Sequence, residues 1–250
     1  MDHANVGYLE AKRAIDDAAM DAQIASVFRD RLPVAPTIVD LGCGTGSMLG
    51  RLLGWGITEG RYLGIDADAD VLEAARQLRS AEAREAGHRV AASGGALVLG
   101  DLTVRFEQAD ALARLRAVEA PDAVIGLSFA DLVGAGPLCE AVGAVATPDT
   151  QLYLPMTFDD HTAATIAERM TGQAVDGNLN RMHQNALQEI RNILTSGFID
   201  GIVNTLETTI DTETPTPERD HTDAIAEQTA SHIQMDSLSL VLDSLTDLAE

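Results

Sequence analysis

The run Thr37-Ile-Val-Asp-Leu-Gly-Cys-Gly-Thr-Gly46 constrains this chain more than any other feature: a short apolar stretch leads directly into glycines at 42, 44 and 46. The apolar residues read as a buried strand, and Ser47 to Leu53 read as a helix. Glycine accepts positive φ and carries no Cβ, so alternate glycines let the backbone turn sharply and let a ligand lie against it. A dinucleotide fingerprint needs its third glycine at position 47, where this chain has Ser47. A phosphate loop needs a Gly-Lys-Ser/Thr ending, and the chain's single lysine is Lys12. The spacing is therefore G-x-G-x-G.

Strand and helix alternate around this turn. Residues 8–31 carry apolar positions at helical spacing, closed by Pro33 and Pro36. Tyr62 to Ile65 is a second strand ending at Asp66, and Ala69 to Glu85 is a helix with Val71, Leu72, Ala75 and Leu78 on one face. The segment ALVLGDLTVRFEQAD is either a hairpin turning at Gly100 and Asp101 or a loop and one strand before Asp110, with the second strand preferred as the sheet member. Asp122 to Leu127 and Gln151 to Phe158 read as strands four and five, separated by a helix at Leu138 to Val145. Near-continuous apolar strands alternating with helices predict an α/β, Rossmann-like, mostly parallel sheet covered on both faces. Further on, a helix is expected over 178–195, a strand over 199–210 and an exposed Thr, Pro and acid-rich stretch over 205–223. Leu238, Val241, Leu242, Leu245 and Leu248 predict an amphipathic terminal helix, docked on the domain or forming a homodimer. The expected organisation is a helical cap at 1–36, a central domain at 37–204 and an acidic segment with its helix at 205–250.

The 250 residues, 46% hydrophobic, suffice for one large α/β domain. The longest uncharged run, Val90 to Gly100, falls short of the roughly 18 residues of a membrane span. The opening MDHANVGYLEAKR has no signal-peptide pattern, which makes the cytoplasm the expected location. Cys43 and Cys139 offer neither a disulfide framework nor metal-ligand spacing, so no metal is expected. Acids outnumber bases 39 to 17, for a net charge of −22. Such a surface repels nucleic acids and anionic membranes at ordinary ionic strength. Acid excess with lysine nearly eliminated also marks a halophilic protein, working in molar salt where screening shortens to about 3 Å.

The glycine segment resembles motif I of the class I S-adenosylmethionine-dependent methyltransferases, in which an acid ends the first strand before G-x-G-x-G. The resemblance continues with Asp66 after the second strand, Asp110 after the third and Asp122 to Leu127 as the fourth, covering about residues 8–160. It implies methyl transfer from S-adenosyl-L-methionine, with Asp40, Gly42, Cys43, Gly44 and Gly46 around the methionine part. It implies Asp66 with Ala67 at the ribose, Asp110 with Ala111 at the adenine, and Ser128 after the fourth strand. Cys43 also reads as a small residue packed in the turn. The family's sheet normally closes with two antiparallel strands, of which the sequence offers at most one, within 199–210.

The acceptor is expected to be a small molecule that approaches beside Ser128, Phe129 and Asp131, then Asp159, Asp160 and His161, with Tyr8, Lys12 and Arg13 from the first helix. Transfer from a sulfonium is an in-line displacement in which positioning supplies most of the rate, so a base is needed only when the acceptor must lose a proton. Asp159, His161 and His183 are the candidates for that base. The Leu127-Ser-Phe-Ala-Asp131 segment lacks the Asn/Asp-Pro-Pro-aromatic pattern of base-modifying enzymes, which further disfavours nucleic acid. A non-catalytic cofactor-binding or scaffold protein, and a methyltransferase acting on RNA or protein, are the alternatives. Screening of the −22 charge predicts a melting temperature that climbs from low to molar KCl. A flat or falling melting curve would remove the halophilic reading.

Overall fold

The computed structural model describes residues 6–20, 22–147, 149–157, 160–176, 179–187, 189, 190, 193, 231–235, 238–242, 244 and 245. The chain opens with helices α1 (Val6–Ala19) and α2 (Ala22–Arg31). It continues through β1 (Thr37–Leu41), α3 (Ser47–Gly54), β2 (Glu59–Asp66), α4 (Ala69–Glu85), β3 (Val90–Ser93), β4 (Ala96–Leu99) and β5 (Asp101–Gln108). After these come α5 (Ala111–Leu115), β6 (Ala123–Ile125), α6 (Ala130–Val133), α7 (Ala135–Gly143), β7 (Gln151–Tyr153), β8 (Met156–Thr157) and α8 (Asp160–Thr171). A helical stretch at 181–187 and the strands β9 (Ser231–Met235), β10 (Leu238–Leu242) and β11 (Ser244–Leu245) complete the described elements.

Nine strands form one sheet in the order β3-β4-β5-β2-β1-β6-β7-β10-β9. From β5 through β10 all neighbours are parallel, while β3, β4 and β9 run antiparallel at the edges. This is the expected α/β Rossmann-like fold. The strand order reverses between β1 and β6, and a crevice opens beyond the carboxyl ends of strands at such a switch point.

Strand periodicity divides the core between the two faces. Ile38, Ile125 and Tyr153 pack with Phe28, Met48, Leu52 and Leu72, whereas the adjacent Val39, Val124 and Leu152 pack with Leu115, Leu138 and Val142. Because both faces are covered, alternate residues must all be apolar, which explains the near-continuous apolar strands.

Three expectations change. The single helix expected over 8–31 is two helices, because α1 lies over the cleft described below while α2 buries Ile24, Ala25 and Phe28 in the core. Phe28 stacks on Tyr153 with centroids 4.8 Å apart, a contact that one straight rod could not combine with the cleft. The ALVLGDLTVRFEQAD segment is a hairpin turning at Gly100, and both its strands belong to the sheet: β5, the preferred one, pairs in parallel with β2, and β4 adds to it antiparallel. The terminal amphipathic helix is absent: 238–242 and 244–245 are strands, with β10 paired to β7 and β11 to β8. Leu238, Leu240 and Leu242 also alternate at period two, and the parallel edge of β7 needs a partner, so pairing overrides the helical reading. Among the described residues the sheet closes through β10 and β9; the strand expected over 199–210 and the exposed stretch expected over 205–223 lie outside the described residues. Among the described residues no helix is long and apolar enough to cross a membrane.

Candidate functional site

A cleft of about 580 Å³ opens beyond the carboxyl ends of β1, β2, β5 and β6. Its floor is the turn after β1, where Gly42, Gly44 and Gly46 have φ of 63°, 52° and 74°. A Cβ on Gly42 would meet the Phe129 ring at 2.7 Å, so glycine is required there for packing. At Gly44 the nearest side chain would be Leu9 at 3.5 Å, and the bare backbone faces the cleft. α3 begins directly behind this turn with no side-chain cap on its first amides.

The turn is fastened to β2 by Asp66. One carboxylate oxygen accepts the Gly44 N–H at 2.9 Å, and the other accepts the Asp68 N–H at 3.0 Å. Each oxygen keeps a further lone-pair direction for a ligand hydroxyl. Ala67, also in the cleft wall, accepts at its carbonyl from the Gln108 side chain at 3.0 Å. Asp110 caps α5 by accepting the Ala113 N–H at 2.7 Å, and with Ala111 it lines the far end of the cleft.

Asp40 lines the same cleft but is only 1% exposed. Its carboxyl accepts the Tyr62 hydroxyl at 2.5 Å. Burial pushes Asp40 up from 3.8 to about 7, against the opposing effects of the Tyr62 hydrogen bond and Arg51, with Asp66 adding a smaller upward push. Burial, followed by the nearby Asp40, raises the Tyr62 hydroxyl well above its ordinary value. Cys43 is buried, with its N–H bonded to the Ile65 carbonyl at 2.9 Å. Burial, then Asp40 and Asp66, holds its thiol far above the range of a reactive cysteine.

α1 roofs the cleft with Tyr8, Leu9, Lys12 and Asp16. Lys12 pairs with Asp16 at 2.5 Å and reaches the Ser128 hydroxyl at 3.5 Å. Ser128, after β6, has φ 50° and donates its N–H to the Pro155 carbonyl at 2.9 Å. The roof is clamped from behind. The fully buried Arg79 grips both Glu10 oxygens at 3.0 and 2.9 Å and Glu82 at 2.8 Å. Arg13 reaches Glu82 and Arg51 reaches Asp17, at 2.5 and 2.6 Å. Lys12 and Arg13 thus belong to ion pairs that fix the roof. The sequence reading missed Glu10, Arg51, Arg79 and Glu82. Its available signal was Arg79, four residues from both Ala75 and Ala83 on the buried stripe of α4.

The three base candidates do not converge among the described residues. His161 is exposed near the start of α8 and does not line the cleft, and Asp159 lies outside the described residues. His183 is buried, accepting the Asn180 N–H at 3.4 Å through Nδ1, also away from the cleft. Near Ser128 the wall is instead apolar, built by Leu127, Phe129, Leu132 and Val133. Among the described residues no group of His, Cys, Asp and Glu is placed to hold a metal. The arrangement can bind, orient and shield a ligand, and among the described residues neither His161 nor His183 stands beside it.

A CheC-like family matches residues 182–218. A protein of Halobacterium salinarum named as a CheY-P phosphatase, CheC1, is 43% identical over 77 residues, which is 30% of this chain and 37% of that protein. The matched part therefore spans little more than a third of that relative. Among solved structures, the plantazolicin methyltransferase BamL is 13% identical over 76% of this chain and 63% of its own, with a TM-score of 0.39. The mycolic acid cyclopropane synthase CmaA1 is 13% identical over 78% and 63%, also at 0.39. Precorrin 8w decarboxylase of Methanobacterium thermoautotrophicum is 20% identical over 48% and 53%, at 0.34. These scores identify no relative, and the fold assignment stands on strand order and register.

Asp40 gives the cleft a pH signature. The folded protein holds this proton from pH 3.8 to about 7, where the unfolded chain has released it. The stabilising contribution is full below the lower value and is lost as pH rises through the upper one, at about 1.4 kcal/mol per pH unit. Asp40→Asn keeps an acceptor for Tyr62 and cannot ionise, so chemical denaturation should show wild type losing stability relative to the variant across this window. Parallel pH profiles for the two proteins would show that Asp40 titrates as it does in the unfolded chain.

Proposed function

We propose that the part of the chain from α1 to β8 binds S-adenosyl-L-methionine and transfers its methyl group to a small-molecule acceptor. The observation that carries this reading is the left-handed G-x-G-x-G turn with the Asp66 carboxylate fastened behind it, at the switch point of a parallel sheet. The residues fit the cofactor. Gly44 leaves bare backbone where a Cβ would intrude, Asp66 can accept ribose hydroxyls, and Asp110 with Ala111 suits the adenine end. The cleft volume of about 580 Å³ suits a ligand of that size.

When bound, S-adenosylmethionine supplies an electrophilic methyl on a sulfonium. The chain's own residues bind and orient. Gly42 and Gly44 permit close backbone approach, and the carboxylates of Asp66 and Asp110 give the cleft a negative wall suited to a cationic ligand. Tyr8 and Leu9 on α1, with Phe129 and Leu132 opposite, exclude water and press the acceptor toward near-attack geometry. The roof favours a small acceptor, because a polymer would need α1 to lift. Calorimetry in molar KCl should show binding of S-adenosylmethionine and none of NAD. Asp66→Ala should weaken that binding about tenfold to a hundredfold, the loss of one or two charge-assisted hydrogen bonds. Tight NAD binding, or unchanged affinity in a folded Asp66→Ala protein, would overturn the reading.

A second reading, for the C-terminal part, is supported by the 43% identity to the protein named as a CheY-P phosphatase and by the CheC-like match at 182–218. In it the chain carries a phosphatase segment acting on CheY-P beside the methyl-transfer cleft. Phosphorylated CheY mixed with full-length protein should then lose phosphate faster than alone, and an unchanged decay rate would sink this reading while leaving the first untouched.

A further inference from the structure

A second groove, of about 630 Å³, lies toward the opposite ends of the same strands, bounded by β1, β2, β5 and the loop following α5. Strand register places Arg61 beside Thr103 and Leu63 beside Arg105. Residues two apart along a strand share a face, so Arg61, Leu63, Thr103, Arg105 and Glu107 stand together. Elsewhere this face is covered by the core built on Leu115, Leu138 and Val142. α5, only five residues long, stops short of the outer strands, and polar side chains occupy positions that a covered sheet would fill with apolar ones.

Among the described residues Arg31, Arg61, Arg84, Arg105, Arg169 and Arg181 have no carboxylate partner, and of these Arg61 and Arg105 line this groove. Among the described residues, Lys12 and eight arginines are ion-paired with carboxylates. Arg105 is exposed and has no hydrogen bond or ion pair among the described residues. Arg61 bonds only to the Thr37 hydroxyl, at 3.2 and 3.0 Å through Nε and Nη2, which fixes the guanidinium and leaves its Nη1 edge open. Arg114, held by Glu107 at 2.5 Å, borders the same groove. In a chain of net charge −22, this groove gathers Arg61, Arg105 and Arg114 against Glu107 and Glu119, with Arg61 and Arg105 left without carboxylate partners on one sheet face.

We propose that this groove binds a small organic oxyanion, with a phosphate or carboxylate group held by the Arg61 and Arg105 guanidinium groups and its apolar body resting on Leu63 and Val118. Guanidinium forks match the planar, paired oxygens of either group. The groove is separate from the glycine cleft, so its occupant and S-adenosylmethionine bind without competition. The bland alternative is that the arginine stems merely cover strand surface.

Calorimetric titration of the full-length protein with inorganic phosphate and, separately, with citrate, each at low salt and in molar KCl, distinguishes these. The expected result is saturable binding of one of the two probes, phosphate identifying a phosphate-bearing occupant and citrate a carboxylate-bearing one. In Arg105→Gln that affinity should fall about tenfold or more. Arg105→Lys, which retains the charge but not the fork, should fall between the two, and the melting temperature of both variants should stay at the wild-type value. Saturable binding of neither probe at either salt concentration, equal affinity in wild type and Arg105→Gln, or a lowered melting temperature in Arg105→Gln with binding unchanged would overturn the proposal.

Discussion

The two backbone hydrogen bonds accepted by Asp66 are the contacts on which the cleft depends. One reaches Gly44 in the turn after β1 and the other reaches Asp68 before α4, so one carboxylate sets the relative position of two adjacent crossovers. The Cys43 N–H extends the pairing of β1 with β2 by bonding the Ile65 carbonyl, which carries strand geometry into the turn itself. Three successive left-handed glycines can be ordered only if something outside the turn selects that conformation, because glycine loses more freedom on folding than other residues. Asp66 provides that selection, and the same carboxylate then faces the ligand space. Structure and recognition thus share one group.

The roof depends on a different balance. Arg79 is fully buried, and a buried guanidinium is tolerable only with its charge matched; its two terminal nitrogens are paired while Nε has no partner among the described residues. Glu10 and Glu82 supply the match from two helices, so α1 is attached to α4 by the need to neutralise Arg79 more than by apolar burial. Molar salt screens exposed pairs strongly and buried ones far less, so this clamp holds the roof in conditions where surface ion pairs contribute little. On the other side of the cleft floor, the Asp40 carboxyl is buried against Tyr62, and its raised pKa shows that the polar site was not assembled at no cost to the fold.

Much of this was legible in the sequence because the governing physics is local. The G-x-G-x-G turn, the α4 boundaries and the placement of Asp66 at the end of a strand follow from glycine conformational freedom and hydrophobic period, and they stand where expected. The errors lie where tertiary contacts arbitrate. Residues 238–242 satisfy both helical and strand spacing, and only the open edge of β7 decides between them. The break between α1 and α2 has no proline or glycine to announce it; it follows from two surfaces that one rod cannot reach. The Arg79 clamp joins residues 69 positions apart and leaves only a misplaced charge in an apolar stripe as its trace. Asp110, expected at the far end of the site, lines the cleft there and also caps α5, a role the sequence reading did not anticipate.

The closing strands bear on how the two parts of the chain relate. The CheC-like match ends at 218, and β9 and β10 follow it in sequence, yet β10 pairs with β7 at the sheet that carries the cleft. β7 continues into Pro155, whose carbonyl holds the Ser128 N–H on the acceptor side. An unpaired parallel edge at β7 would expose backbone donors and acceptors beside that wall. The strand that covers it, β10, follows the CheC-like match in sequence.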